Sequence, residues 1–262
     1  MLINSIYLRN LPEEPIYPFN LPLIQNLEPI KLHKNITFFV GENGSGKSTM
    51  LEGLAAYFNL PVAGSMPISE DPMLEPARLL GRYLSVGKTG NVSGFLSRAE
   101  DFIGFVKNIQ RQILELDAEI REMTETWNGG DLERAIAPIK EEKQAIISRY
   151  GENLDAMSHG EGFLKFFSAR ITGKGLYLID EPEAALSPQR QLSLISLLLQ
   201  KVKEVDAQFI IATHSPIIMA IPDAEILEFK EGKIKAVSYQ ETEHYQLTKL
   251  FLENPEGVLR GL

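Results

Sequence analysis

A glycine-rich run at residues 41–49, Gly-Glu-Asn-Gly-Ser-Gly-Lys-Ser-Thr, carries the most specific chemical signal in the sequence. It fits the pattern G-x-x-x-x-G-K-[ST], a loop that surrounds an anion with successive backbone N–H groups. Glycine suits such a loop because it adopts backbone conformations that other residues avoid. The apolar run Ile36–Val40 predicts a buried strand before the loop, and residues 50–58 predict a helix after it. This context predicts a phosphate-binding loop.

The polar groups of this loop have distinct expected partners on a bound ATP. Lys47 is expected to bridge the β- and γ-phosphates, Ser48 to bind Mg²⁺, and Thr49 to hydrogen-bond the α-phosphate. The predicted phosphate-binding set is Asn43, Gly44, Ser45, Gly46, Lys47, Ser48 and Thr49.

A pair of carboxylates, Asp180 and Glu181, follows a second apolar run at residues 176–179. Two adjacent carboxylates at the end of a buried strand repel each other unless a cation lies beside them. This is the pattern of a Walker B element. It predicts that Asp180 holds the Mg²⁺ shell together with Ser48, and that Glu181 polarises the attacking water.

A histidine, His214, follows a third buried run at residues 209–212, in the sequence Thr-His-Ser-Pro. A strand-end histidine is often a hydrogen-bonded structural residue, but here it comes after the two other motifs. Its position would let it reach a γ-phosphate or the attacking water. We therefore predict His214 and Glu181 as the catalytic residues.

These three motifs, in this order, resemble those of the ATP-binding cassette (ABC) ATPases. The resemblance implies a fourth motif, an LSGGQ-like signature, and residues 157–162, Met-Ser-His-Gly-Glu-Gly, are a diverged match before Asp180. In the family, this motif closes over the γ-phosphate bound by the other subunit. It implies that Ser158 donates its hydroxyl and Gly160 its backbone N–H, with Glu161 beside them at a helix N-terminus.

The motif variants indicate a branch of that superfamily. The loop sequence, Asp-Glu-Pro-Glu and Thr-His-Ser-Pro are most similar to the SMC, RecF and RecN side, and in particular to its small stand-alone bacterial ATPases. Transporter cassettes more often read Asp-Glu-Pro-Thr and follow the histidine with Asp. The resemblance covers residues 28–237 and extends to the run at 241–245.

The sequence departs from the family pattern at two places. No Gln-loop follows the strand-like Gly94–Arg98, where Arg98 or Glu100 stands instead. No clear adenine-stacking aromatic is visible: Tyr17 is the one candidate, and packing inside its own loop is the favoured interpretation of this residue. The family's dimer-contact loop matches residues 183–187, which implies that Ala185 and Leu186 face a partner.

The elements that must position these residues alternate between strands and helices, which predicts an α/β fold with a mainly parallel sheet. The resemblance specifies a P-loop NTPase, an ABC ATPase head with N-terminal antiparallel strands and an inserted helical lobe. The expected core covers residues 1–98 and 163–262 and ends in a hairpin and a helix; the lobe covers 99–162 and ends in the signature. Five prolines at 11–30 predict an irregular surface segment.

The lobe is predicted from an apolar seam with spacings of 4, 3, 4 and 3 residues, formed by Ile109, Ile113, Leu116, Ile120 and Met123. Residues 128–130, Asn-Gly-Gly, end this helix, and 132–150 predict a return helix. The pair is either a lobe packed on the domain or a short projecting coiled-coil arm.

Composition limits the partners. The 262 residues include 26 Lys and Arg, 35 Asp and Glu, and no Cys, for a formal charge of −9. An acidic chain needs a local basic patch to bind nucleic acid. Two acid-free stretches supply candidates: Arg78, Arg82, Lys88 and Arg98 in one, and Lys165, Arg170 and Lys174 in the other. No apolar run approaches the about 18–20 residues of a membrane span. No signal-peptide pattern is seen, so we expect a cytoplasmic protein without membrane insertion.

The expected function is that of an ATPase that binds ATP and Mg²⁺, forms a homodimer around two nucleotides, and is coupled to DNA repair or defence. DNA or a partner nuclease are the candidate partners. Two alternatives stay open: the nucleotide-binding subunit of a transporter, and a low-turnover nucleotide switch such as a toxin component. The absence of a Gln-loop and the motif variants argue against the transporter.

Overall fold

The computed structural model describes residues 1–12, 16–63, 71–150 and 159–260. Its strands are β1 (Ile3–Leu8), β2 (Ile30–Lys31), β3 (Ile36–Val40), β4 (Leu84–Lys88), β5 (Gly94–Arg98), β6 (Leu176–Asp180), β7 (Gln208–Ala212), β8 (Glu225–Lys230) and β9 (Lys233–Ala236). Its helices are α1 (Pro22–Gln25), α2 (Lys47–Tyr57), α3 (Glu75–Tyr83), α4 (Ala99–Thr126), α5 (Leu132–Tyr150), α6 (His159–Arg170), α7 (Pro188–Val205), α8 (Pro216–Met219), α9 (Glu243–Glu253) and α10 (Pro255–Leu259).

A six-stranded sheet in the order β5-β6-β7-β3-β8-β9 forms the centre of the fold. All its pairings are parallel except β8 with β9, which closes the hairpin expected at the C-terminal side. A separate antiparallel sheet has the order β2-β1-β4. The predicted fold class, an α/β fold with a mainly parallel sheet and N-terminal antiparallel strands, is confirmed.

The central strands β3, β6 and β7 are buried at every position because both faces of the sheet are covered. Alternate residues supply two separate cores. Phe39, Leu178 and Ile210 pack on one face with α2, α3 and the small sheet. On the other face, Phe38 and Phe209 pack with residues of α4, α6 and α7. The strands thus read as continuous apolar runs, as the sequence indicated.

The predicted helical pair is present as α4 and α5. Its base is packed on the domain, where the Phe105 ring lies 4.6 Å from Phe166 and 5.1 Å from Tyr150 between ring centroids. Beyond Ile109, no described side chain of α4 is buried. The 28 residues of α4 span about 42 Å at about 1.5 Å per residue. The base is therefore a packed lobe, and the distal part is a two-helix arm. The division of the chain at residues 98 and 163 stays a prediction.

The proline-rich segment differs from the expectation of an irregular surface segment. Phe19, Leu23 and Ile24 are buried in the core, and Pro22 begins the one-turn helix α1. Pro22 takes the first helical position, where its missing N–H has no intrahelical partner to lose. Helix α3, strand β4 and helix α10 were also not predicted. Among the described residues, no helix is long and apolar enough to cross a membrane.

A buried glutamine joins the two sheets. Gln208 at the start of β7 is fully buried, and its Oε1 accepts hydrogen bonds from the backbone N–H groups of Leu2 (2.7 Å) and Ile3 (2.9 Å). Its Nε2 donates to the Ile3 carbonyl at 2.9 Å. The N-terminal strand is therefore attached to the central sheet through one side chain.

We expect Gln208→Leu to lower the free energy of unfolding by about 3 kcal/mol or more, because each of several buried backbone groups would lose its partner at about 1–3 kcal/mol per group. Urea denaturation measures this change. The matched control is Gln200→Leu on the exposed face of α7, expected to change stability by less than about 0.5 kcal/mol. Equal effects of the two substitutions would contradict the role of Gln208.

Candidate nucleotide-binding site

Four strands of the central sheet place their ends in one row. Arg98 lies beside Asp180 in the register, Asp180 lies beside Ala212, and Ala212 also pairs with β3. Because the strands are parallel, the residues that follow them emerge at the same edge, where ligands of α/β folds bind. The loop after β3, Glu181 after β6 and His214 after β7 meet there.

The loop between β3 and α2 contains three glycines with positive φ, Gly41, Gly44 and Gly46. Gly46 has a φ of 97° at the N-cap of α2, and a Cβ there would lie 2.6 Å from Leu23 Cδ2. Gly41 has a φ of 144°, and a Cβ there would lie 2.3 Å from the Phe229 carbonyl oxygen. At Gly44, by contrast, a Cβ would meet no atom within 4 Å. Both the backbone conformation and the lack of space require glycine where the loop packs on β8 and α1, whereas at the open tip only the φ of 78° at Gly44 favours it.

Lys47 is the buried cation of this edge, with 4% of its surface exposed. Its Nζ donates hydrogen bonds to the first two carbonyl oxygens of the loop, at 2.8 and 2.9 Å. Burial lowers the pKa of Lys47, and the nearby carboxylates of Glu181, Asp180 and Glu183 oppose that shift. The ammonium group thus belongs to one charge cluster with three acids.

Asp180 is the most perturbed acid of this cluster. It is 9% exposed, and burial raises its pKa to about 6, while a hydrogen bond from the Ser48 side chain acts in the opposite direction. Its Oδ1 is buried and has no hydrogen-bond partner among the described residues. A buried carboxylate oxygen without a partner beside a hydroxyl is a donor set that suits Mg²⁺. The residues present therefore fit the predicted metal.

Glu181 has an unusual backbone conformation. Its φ of 48° and ψ of 52° are left-handed, which costs a non-glycine residue about 1–2 kcal/mol. The turn is held because the Glu181 N–H donates to the Ala212 carbonyl at 2.9 Å and the Ala184 N–H donates to the Glu181 carbonyl at 3.1 Å. The side chain is 45% exposed, and its Oε1 lies 3.5 Å from His214 Nε2. The strained turn brings the carboxylate to the mouth of the site, beside the imidazole.

His214 contacts a second histidine that sequence analysis did not assign a role. Its Nδ1 lies 2.8 Å from Nε2 of His244, in the first turn of α9. Burial lowers the pKa of both rings, and Lys47 adds to the effect on His214. The run at 241–245 resembled the small ATPase family, but a contact between residues 30 positions apart has no local signal in one sequence.

Glu183 was assigned to the dimer-contact loop, but its side chain points inward. Its Oε1 accepts from the His214 N–H at 2.5 Å and its Oε2 accepts from the Thr213 hydroxyl at 2.8 Å. Ser215 Oγ in turn donates to Gln191 Oε1 at 2.5 Å. The loop that carries His214 is thus attached to the turn after Glu181 and to α7.

Leu186 and the acid-free stretches require corrections. The Leu186 side chain is 6% exposed and packs in the core that contains Phe38 and Phe209. The expectation that Leu186 faces a partner is therefore wrong. Arg98 does not lie on a basic surface: its guanidinium is paired with Asp101 at 2.9 Å and with Glu52 at 3.4 Å. In the second acid-free stretch, the Lys174 ammonium group forms an ion pair with the Asp206 carboxylate, with 2.5 Å between Nζ and Oδ2.

Tyr17 lies beside the glycine-rich loop. Its hydroxyl is 3.2 Å from Thr49 Oγ1, and the side chain is 50% exposed. It lines an open pocket together with Lys47, Ser48 and Glu181.

The predicted signature is described only in part. Ser158 lies outside the described residues, and Gly160 is in the first turn of α6. Glu161, in the same turn, forms an ion pair with Arg190 of α7. Its carboxylate is therefore engaged within its own chain.

Two family models and a curated protein match parts of this chain. The model of an AAA ATPase domain matches residues 100–219, and that of an AAA domain matches residues 18–59. A Sulfurisphaera tokodaii protein named as an ABC transporter ATP-binding protein is 23% identical over 211 residues, which cover 80% of this chain and 40% of that protein.

Two solved structures are similar in fold. An inward-facing metal-chelate type ABC transporter has a TM-score of 0.49 at 19% identity, over 96% of this chain and 90% of that one. The SMC head domain from Thermotoga maritima has a TM-score of 0.44 at 13% identity, over 90% of this chain and 98% of that one.

The first family match includes the strands that end at Asp180 and Ala212, and the second includes the whole glycine-rich loop. The sequence motifs and their convergence at one edge agree with both matches. The chain thus carries matches to ATPase domain models in both parts of this site, and it is similar in sequence to an ATP-binding protein of the ABC type.

Proposed function

We propose that the chain binds Mg-ATP at the edge where β3, β6 and β7 end, hydrolyses it, and forms a homodimer with two nucleotides between the subunits. The observation that carries this proposal is the convergence of Lys47, Asp180 and Glu181 around one loop. These residues come from separate parts of the sequence, and a shared anionic ligand with its cation accounts for their meeting.

The loop supplies the phosphate contacts. Backbone N–H groups of Asn43, Gly44 and Gly46 face the anion, and the N-terminus of α2 adds a favourable dipole. The Ser45 N–H donates to the Glu42 carbonyl at 3.2 Å in the free loop and exchanges this bond for the phosphate. Lys47 leaves the loop carbonyls and donates to the β- and γ-phosphates, and Thr49 donates to the α-phosphate. Tyr17, beside Thr49 and half exposed, stacks on the adenine ring.

Ser48 and Asp180 hold the metal. Mg²⁺ usually binds one or two protein oxygens together with phosphate oxygens and water, and the Ser48 hydroxyl with the unpartnered Asp180 Oδ1 supplies the protein share. When bound, the ion neutralises phosphate charge and orients the γ-phosphate.

Hydrolysis needs a group that orients water and accepts its proton. The Glu181 carboxylate lies at the mouth of the site and accepts the hydrogen bond of the attacking water. His214, with its Nε2 beside this carboxylate, donates to the γ-phosphate and keeps the water in line. The Glu181 and His214 side chains come close for two reasons. The turn at Glu181 is left-handed, and Glu183 accepts hydrogen bonds from the loop that carries His214.

The signature completes the site of the other subunit. Ser158 donates its hydroxyl and Gly160 its N–H to the γ-phosphate bound across the dimer, with the N-terminus of α6 behind them. Glu161 orients this turn through its ion pair with Arg190. Binding and loss of the γ-phosphate then close and open the dimer.

We assign this cycle to DNA repair or defence, with DNA or a nuclease as partner and the cytoplasm as its compartment. The motif variants support this branch, and the exposed cations Arg82, Lys88 and Lys165 supply a candidate DNA contact. One observation favours a second function, the nucleotide-binding subunit of a transporter: the Sulfurisphaera tokodaii relative carries such a name. Co-purification with DNA or a nuclease, or with a membrane permease, separates the two.

The buried charge of Asp180 gives a prediction for the ligand-free protein. Folding raises its pKa from 3.8 to about 6, so the folded state binds a proton more tightly than the unfolded chain. Ionised Asp180 therefore costs stability above about pH 6, and the cost falls as the pH falls towards 4. At pH 7.5, Asp180→Asn should raise the free energy of unfolding by up to about 3 kcal/mol, and by about half as much at pH 5.

Urea denaturation at both pH values, without Mg²⁺ or nucleotide, measures this effect. The control is Asp223→Asn at an exposed position, expected to change stability by less than about 0.5 kcal/mol. The Asp180 variant should also lose the thermal stabilisation that Mg-ATP gives the wild type. A stability gain independent of pH would contradict the assignment of the buried charge.

Glu181→Gln tests the catalytic base. The amide preserves shape and removes the charge that orients water, so the hydrolysis rate should fall at least about 10²-fold while ATP binding persists. Size-exclusion chromatography with Mg-ATP should then detect a trapped dimer. The control is Lys47→Ala, which should weaken binding of a slowly hydrolysed ATP analogue in calorimetry. Wild-type hydrolysis by Glu181→Gln would remove this residue from the mechanism.

Ser158→Arg tests whether hydrolysis needs two subunits. The signature is expected to lie too far from the nucleotide of its own subunit to touch it, so ATP affinity of the monomer should be nearly unchanged. A bulky cation at this position should abolish ATP-driven dimerisation and, with it, hydrolysis. Sedimentation and ATPase assays over a range of protein concentrations measure both. Full activity of this variant where the wild type is monomeric would overturn the dimer mechanism but not nucleotide binding.

A further inference from the structure

The C-terminal segment reaches the candidate catalytic histidine through one hydrogen bond. His244 Nε2 lies 2.8 Å from His214 Nδ1, with ring centroids 4.9 Å apart and an interplanar angle of 61°. Burial lowers the pKa of both rings. Two neutral imidazoles at this distance share a single N–H, so one ring donates and the other accepts.

The other nitrogen of His214 decides which ring donates. His214 Nε2 is buried and faces Glu181 Oε1 at 3.5 Å. If His214 donated from Nδ1, its Nε2 lone pair would point at a carboxylate oxygen and repel it. If His244 donates from Nε2, His214 carries its proton on Nε2 and presents an N–H to the carboxylate. The second arrangement is favoured because it replaces a repulsion with an attraction.

The charged groups around the pair act on its protonation in opposite directions. Lys47 lowers the pKa of both rings, which favours their neutral forms. Glu181 acts on His214, and Glu243 and Glu183 act on His244, each favouring protonation. The Glu183 carboxylate, however, already accepts from the Thr213 hydroxyl and the His214 N–H. Burial is the largest effect on each ring, so the neutral pair is retained.

His244 is held by the backbone around it. Its helix α9 is capped by the fully buried Thr242, whose hydroxyl donates to the Tyr239 carbonyl at 2.8 Å. The Tyr239 hydroxyl donates to the Pro216 carbonyl at 2.9 Å. The C-terminal segment is therefore fastened to the loop that carries His214 by a contact separate from the imidazole pair.

We propose that His244 is a positioning residue that donates from Nε2 to His214 Nδ1 and holds His214 as the tautomer with its proton on Nε2. The proposal rests on the proposed function for its catalytic meaning. The ring nitrogen that carries the proton is set by the hydrogen bond of the other nitrogen. With the proton on Nε2, His214 donates towards Glu181 and the γ-phosphate, whereas the other tautomer offers no donor there. The C-terminal helix thus selects the form of the imidazole that can act in hydrolysis.

Two substitutions of His244 separate this role from simple packing. The amide nitrogen of Gln occupies the place of His Nε2, whereas that of Asn occupies the place of His Nδ1 and falls short. His244→Asn should lower the kcat of ATP hydrolysis by about 10- to 100-fold, the scale for removing a group that orients a functional imidazole. The KM for ATP should change less than about 3-fold. His244→Gln should recover most of kcat.

The tautomer is measured directly in the ligand-free protein. Only four histidines are present, so long-range ¹H–¹⁵N correlations of ¹⁵N-histidine-labelled protein can be assigned by substitution. Wild type and His244→Gln should show His214 protonated on Nε2 alone, and His244→Asn should show a mixture of tautomers. The matched control is His33→Asn, at the opposite end of the central sheet where His33 pairs with Glu225; it should remove only the signals of His33 and leave the His214 signals and kcat unchanged.

A second control tests the docking of the segment. Tyr239→Phe removes the bond to Pro216 but leaves the imidazole pair, and it should keep kcat within about 3-fold of the wild type. The proposal is overturned if His244→Asn leaves the His214 nitrogen shifts unchanged, or if Tyr239→Phe lowers kcat as much as His244→Asn does. The spectrum needs no ATP turnover. Failure of the tautomer proposal is therefore distinct from failure of the proposed ATPase mechanism, which the Lys47 and Glu181 variants test.

Discussion

The parallel register of β5, β6, β7 and β3 is the constraint on which the site depends. It aligns Arg98, Asp180 and Ala212 in one row and makes the chain leave three neighbouring strands at the same edge. Since β7 lies between β6 and β3, the loop carrying His214 emerges between the carboxylate pair and the glycine-rich loop. A slip of β6 by one residue against β5 and β7 would turn Asp180 to the other face of the sheet.

The same row concentrates charge in a place that water reaches poorly. Asp180 and Glu183 are largely buried and have raised pKa values, and Lys47, the nearby cation, has a lowered one. Hydrogen bonds offset part of the free-energy cost of burying these charges, because Glu183 accepts from the Thr213 hydroxyl and from the His214 N–H. One oxygen of Asp180 has no partner among the described residues. Stability and ligand binding therefore oppose each other at Asp180.

Local patterns predicted the parts of the site that lie within one segment. The loop at 41–49, the buried strands and the amphipathic helical pair each follow from residue type and spacing. The contacts of Gln208, Glu183 and His244 could not be predicted, because each joins segments far apart in sequence. Short elements such as α3 and β4 were missed for another reason: nine- and five-residue elements are too short for periodicity to separate them from loops.

Tertiary hydrogen bonds to three different elements restrain the loop after β7. Glu183 joins it to the turn after Glu181, Gln191 joins its Ser215 to α7, and His244 joins its imidazole to α9. Each bond reaches a different element, so a displacement of this loop must strain at least one of them or move an element with it. In the proposed cycle the γ-phosphate meets His214 on this loop. Loss of the γ-phosphate on hydrolysis would then shift α7 and α9 without a separate hinge, because packed elements transmit small shifts and do not absorb them.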